Sequence, residues 1–335
     1  MKNQKIALTL VSLAATMMLA ACGGGGGGNS GSSGSASPST PASTPTPAST
    51  PVTGTQSTPQ YAASSAQLAM FNQVNAYRQQ CGFPAVQENT VLDQAAQGHA
   101  QYQGLNNAVS DTEASANAGF IGATYVDRAV HFGFPRNAIG GGVSAAFYTT
   151  SALSETQYGQ TLVNEWISTV YHSQILLTPV TTMGVGEYET ALNGFPVAWG
   201  SLSLLNTSMQ QLTTSGPLTF PCQGTTGVPY KAVSESPTPP STSGPWGTPV
   251  VVMGNATDTL VLTSGTMTDP SGNLIPLQLL DSANDPNKLT QAYAGVAYPA
   301  TPLTANTMYT VSLTGTVNGT AFSRSFSFTT GNIVG

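Results

Sequence analysis

Charge is the scarcest commodity in this sequence. Asp, Glu, Lys and Arg make up only 7% of its 335 residues, against about 25% in an ordinary soluble domain. The 8 Lys and Arg face 14 Asp and Glu, a formal charge of -6. No basic stripe is available to neutralise phosphates, which excludes a nucleic-acid partner. Histidine and cysteine are equally rare, at 3 each. The chain contains no H-E-x-x-H, C-x-x-C or phosphate-loop pattern and no G-x-S-x-G nucleophile elbow. Heptads, Gly-X-Y repeats and a series of long apolar runs are missing too, which removes coiled coil, collagen and multi-span membrane proteins.

What is present begins with an address. Lys2 and Lys5 precede an apolar run from Ile6 to Met18, then Leu19-Ala20-Ala21-Cys22. The run is too short to span ~30 Å of hydrocarbon and reads as a signal-peptide core. Its ending resembles the lipobox of bacterial lipoproteins. That resemblance implies removal of residues 1–21, a lipid on the Cys22 thiol and, with Gly23 rather than Asp next, an outer-membrane address in a bacterial cell envelope. The alternative is an ordinary signal peptide cut at a small-residue site. Processing leaves 6 basic residues against 14 acidic ones, so attachment would rest on acyl chains rather than on attraction to anionic headgroups. Residues 22–60 follow as a Gly/Ser/Thr/Pro-rich tether that contains no charged residue.

Helical periodicity starts at Gln67, with Leu68, Phe71, Val74 and Arg78 near one face and Gly82 beyond the end. A second helix follows Asn89-Thr90, a third runs near 125–132, and a fourth covers about 159–172. Strand-like segments at 182–189 and 195–204 flank the hairpin signal Asn193-Gly194. Helices followed by strands predict an α+β domain over 61–230. A Pro/Ser/Thr-rich linker is expected at 231–245. Alternating strands near 249–253, 259–265 and 274–280, with Tyr309, Val311, Leu313 and then Phe322, Phe326, Phe328 about Asn318-Gly319, predict a small β-sandwich over 246–335. The run from Leu303 to Tyr309 resembles the corner before a late strand of immunoglobulin-like and fibronectin type III-like domains.

The first domain resembles the CAP superfamily of cysteine-rich secretory proteins, antigen 5 and plant pathogenesis-related protein 1. Asn75-Ala76-Tyr77-Arg78 is similar to its N-x-x-R element, and Leu92 to His99 to its L-x-x-A-A-x-x-H helix. Asp127-Arg128 with Gly133-Phe134, Trp166 to His172 with Ile175-Leu176-Leu177, and Met183-Gly184-Val185-Gly186 continue the series in order. The resemblance implies a three-layer α-β-α sandwich. It also implies a cleft with two His and two acidic residues able to hold a divalent metal, and here the sequence departs. Asp111 stands where the first His belongs, Gly141 where a Glu belongs, Asp127 maps to the other acid, and His172 is retained. Glu113 is a possible substitute. One imidazole among carboxylates suits at most a weakly bound divalent cation and no dedicated cofactor.

The expected cleft is therefore Asp111, Asp127 and His172. Lipid, glycan and peptide all remain open as ligands, and a binding module is preferred to an enzyme. A hydrolase would use His172 with Glu165, two helical turns away, or with Glu113; a purely structural envelope protein is the third reading. His99 sits on an apolar helix face and reads as a satisfied core histidine, His131 as solvated. Once Cys22 carries lipid, Cys81 and Cys222 are an even pair in an oxidising setting and are expected to form a disulfide.

Overall fold

The computed structural model describes residues 52–212 and 216–335; the signal segment, Cys22 and the tether up to residue 51 lie outside them. Helices begin where a side chain can take up the free N–H groups of a first turn. Ser65 Oγ accepts from Leu68 N–H ahead of α1 (Ala66–Gln80). After the short strand β1 (Gln87–Glu88), Asn89 caps α2 (Thr90–Asn106) through the N–H groups of Val91 and Leu92. Reciprocal capping boxes, Thr124 with Asp127 and Ser154 with Gln157, open α3 (Tyr125–His131) and α4 (Glu155–Ser168). Strand β2 (Ile139–Tyr148) lies between them. The six-residue α5 (His172–Leu177) has no side-chain cap from its own N-cap residue, Tyr171.

With β3 (Thr182–Leu192) and β4 (Phe195–Asn206) the first sheet runs β1-β3-β4-β2. Helix α2 lies directly on β3. A Cβ on Gly184 would sit 2.0 Å from the Leu92 carbonyl carbon, and one on Gly186 would sit 2.2 Å from that of Ala96; only glycine permits this approach. On the other face, Gly200 of β4 lies beneath Leu162 and Trp166 of α4. The three-layer α-β-α sandwich is thus present. Its motif residues hold loops: buried Arg78 donates to the carbonyls of Pro84, Leu176, Thr178 and Val180.

The second sheet comprises β5 (Leu218–Phe220), β6 (Thr226–Val228), β7 (Val250–Met253), β8 (Leu260–Thr268), β9 (Leu274–Asp281), β10 (Ala294–Pro299), β11 (Met308–Val317) and β12 (Thr320–Thr330). Their order is β5-β7-β10-β9-β8-β11-β12-β6. Strand β9 changes partner midway, pairing with β8 through Leu274–Pro276 and with β10 from Leu277 onward. The sheet folds over at that corner, so Gly295 of β10 faces Leu260 and Leu262 of β8. The result is the β-sandwich. Tyr309 accepts at its hydroxyl from Thr304 N–H at 2.8 Å.

Several boundaries differ from the sequence reading. The tether ends before residue 60. Gln56 N–H donates to Glu88, Thr90 N–H to Gly54 and Asn89 Nδ2 to Thr53, because β1 is an edge strand whose outer groups need partners. Strands β5 and β6, placed by sequence in the first domain, join the second sheet. The expected linker is packed: Ala232 pairs with Trp246, whose indole N–H reaches Ser168 O. The described residues accordingly form one compact unit. The Cys81–Cys222 disulfide is present, with Cα atoms 5.5 Å apart, and clasps the end of α1 to the segment after β5.

Candidate functional site

The fourth helix stops at Ser168, and the chain restarts a helix at His172. His172 therefore sits at a helix N-terminus rather than the expected C-terminus, where the macrodipole opposes an imidazolium. A carboxylate reverses that balance. The Glu235 side chain, from the expected linker, is fully buried and accepts the N–H groups of Val170, Tyr171 and His172 at 2.8–2.9 Å. Its Oε1 also lies 2.9 Å from His172 Nδ1. Burial by itself would lower the imidazole pKa, but the hydrogen bond and charge of Glu235, with the Asp111 charge, raise it above the usual value.

His172 lines a cavity of about 730 Å³, within the ~300–1,000 Å³ range of small-molecule sites. Asp111, Gly140 and Gly141 share its rim, while Ile139, Ile175 and Met209 form part of the wall. The remaining wall comes from the other half of the chain: Ser236, Pro237, Met253, Ala256 and the β9–β10 connection with Leu289, Gln291 and Tyr293. That connection is pinned from within. Asp285 accepts from the N–H groups of Asn287, Leu289 and Thr290, and from the Tyr171 hydroxyl at 3.0 Å.

Asp111 and His172 are thus brought to one cavity. The other candidates are elsewhere. Asp127 is exposed and serves as the reciprocal member of the α3 capping box, accepting from Thr124. Glu113 is buried against His99, Oε1 to Nδ1 at 2.8 Å, and caps the N–H groups of Ile121 and Gly122. Glu165 is not the partner of His172, which Glu235 takes; burial pushes the Glu165 carboxyl up to about 8. His99 is fully buried and satisfied by Glu113, Ser110 O and Ser144, and His131 is exposed. A polar thread connects this interior pair to the rim: Ser144 contacts Tyr125, whose hydroxyl donates to Asp111 at 2.8 Å.

The donor set does not fit the metal implied by the family. In the cavity, one imidazole has Nδ1 committed to Glu235 and one carboxylate accepts from Tyr125. Gly141 offers no ligand, and among the described residues the only set of three ligand atoms close enough for one ion lies elsewhere. Glu235 was invisible to sequence reasoning: a lone acid in a Pro/Ser/Thr-rich stretch carries no local signal of a partner 63 residues away.

Comparison with known proteins agrees with the geometry of the first half. Residues 71–199 match the model of the cysteine-rich secretory protein family, CAP. No curated protein matches the chain. A solved structure, that of an outer surface protein from Borrelia burgdorferi, aligns at 12% identity over 42% of this chain and 93% of its own, with a TM-score of 0.30. The ordered motifs, the three-layer sandwich and the family match lead to one conclusion: residues 71–199 are a domain of the cysteine-rich secretory protein (CAP) family.

Proposed function

We propose that this is a lipid-anchored bacterial envelope protein that holds an amphipathic small molecule, of lipid type, in the cavity between its CAP domain and its β-sandwich. The observation that carries the reading is the character of that cavity. Its walls are mostly apolar (Ile139, Ile175, Met209, Met253, Leu289, Tyr293), and Asp111 and His172 supply polar groups at the CAP side. Such a site buries a hydrocarbon body and orients one polar head. Glycan would leave those apolar walls unmatched. No helix among the described residues is long and apolar enough to cross a membrane, and the lipobox resemblance supplies the attachment.

Native mass spectrometry of the purified chain tests the reading. The expected result is a retained or added amphiphile of a few hundred daltons, lost in Ala256→Trp, which fills the cavity. Absence of both a retained mass and saturable uptake of a fluorescent fatty acid would overturn it.

Hydrolysis is the second reading, favoured by one observation: Glu235 engages Nδ1 of His172, which leaves Nε2 as the ring nitrogen that can serve as a general base, and both His172 and Ser236 line the same space. Turnover of short acyl esters that disappears in His172→Ala would select it over binding.

A further inference from the structure

Near the opposite end of the first sheet from the cavity, three acidic side chains converge. Strand β4 pairs Asn206 with Ile139 beside the cavity, and pairs Ala198 and Gly200 with Glu189 and Glu187. Glu187 and Glu189 meet Glu155 from the first turn of α4, with one oxygen of each carboxylate within 4.8 Å of the others. In a chain this poor in charge, such a gathering calls for compensation, and no basic side chain supplies it. The ion pairs among the described residues involve His99, Arg128 and His172, not this group. Glu187 is only 8% exposed, and its buried Oε1 has no hydrogen-bond partner. A buried carboxylate with one unpaired oxygen, set beside two further carboxylates, is costly unless something fills the gap.

Ligand type names the filler. Three carboxylate oxygens close enough to share one ion suit a hard cation with a flexible, all-oxygen shell, which is calcium. Magnesium demands a tighter octahedron at ~2.0–2.1 Å, and zinc prefers nitrogen and sulfur. Glu155 and Glu189 are exposed, so water can complete the shell. We propose that Glu155, Glu187 and Glu189 form a calcium site, with buried Glu187 as the anchoring ligand and solvent filling the remaining positions. The site ties the start of α4 to β3.

Calorimetry and thermal unfolding of the purified chain with calcium chloride near pH 8 test this. One site is expected, with Kd on the order of 10⁻⁴–10⁻³ M as in extracellular calcium modules, together with a calcium-dependent rise in Tm. Glu187→Gln and Glu189→Gln should each weaken binding by ~10-fold or more, since each removes a charged ligand; Asp269→Asn, in a distant turn, should not. Glu189 is exposed, so its variant reports even if Glu187→Gln folds poorly. No saturable heat and no Tm shift up to ~10 mM calcium, or equal binding in both Gln variants, overturns the proposal and assigns the cluster to proton sharing.

Discussion

Replacing Glu235 should unfasten the two halves of the molecule at a single point. Its carboxylate is the N-terminal cap that α5 lacks, and it holds the imidazole of His172. Glu235→Ala leaves three backbone donors and the His172 imidazole without their acceptor. Breaking a buried ion pair from one side costs about 3–5 kcal/mol, and the donors keep the estimate near the upper half of that range. With an unfolding entropy of ~2.1 cal/mol/K per residue, a unit of this size loses about 6–8 °C in Tm. Glu235→Gln keeps an acceptor of the same shape and loses the charge, so about 1.5–3 kcal/mol is expected, the ordinary worth of a charge-assisted hydrogen bond. The pH dependence carries the argument. The folded-state pKa of His172 is raised above its unfolded value, so the charge contribution is complete below about 6.5 and is lost as pH rises through the folded value. The assay is thermal unfolding by circular dichroism of the native protein and both variants, from about pH 6 to 9. A gap between native protein and Glu235→Gln that does not narrow across that range, or a Glu235→Ala variant within ~1 °C of native, would falsify this account.

Cys81→Ser should cost roughly 5 kcal/mol, the loop-closure value for a cross-link spanning 141 positions; a Tm indifferent to reductant would contradict it. Glu113→Ala removes the partner of fully buried His99 and should destabilise by about 3–5 kcal/mol, read by urea unfolding. Asp111, Gly141 and His172 line one cavity, and a Cβ added at Gly141 meets only Ile175, in ordinary contact at 3.6 Å. The double change Asp111→His, Gly141→Glu should therefore raise zinc affinity well above that of the unmodified protein, measured by calorimetry. Submicromolar zinc binding by the native chain would show the mapping to be wrong. Cys22→Ser should release the protein from membranes into the aqueous phase of a detergent partition; unchanged partitioning refutes the anchor.

How much of this was readable in the sequence follows from how local each signal was. The five CAP motifs each depend on near neighbours, and the family and layer order came from them. The disulfide followed from counting. Strand β2 was missed because Gly140, Gly141 and Gly142 mimic a loop, whereas Gly142 is glycine because the Tyr125 ring lies 2.2 Å from where its Cβ would be. The break between α4 and α5 was hidden by an unbroken apolar stripe; the helix stops where Glu235 captures the N–H groups of Val170, Tyr171 and His172. Asp127 was assigned to a cleft on family mapping alone, while the Thr-x-x-Asp spacing at Thr124 already spelled a capping box. The site's second wall arrives from residues beyond 235, and no local pattern announces contacts of that range.

The connection between β9 and β10 has a consequence for how such a protein changes allegiance. It contributes Leu289, Gln291 and Tyr293 to the wall, yet its shape is set by Asp281 and Asp285 through hydrogen bonds inside the loop itself, with Tyr171 as an anchor from the first half. Self-supporting surface loops tolerate replacement far better than the strands that carry them. Preference for one guest molecule over another is thus stored in an exchangeable cassette outside the CAP layers, much as antibody frameworks lend one scaffold to many antigens. Grafting a different connection between Asp281 and Tyr293 would retarget the cavity while the helices, the disulfide and the Glu235 clasp stay as they are.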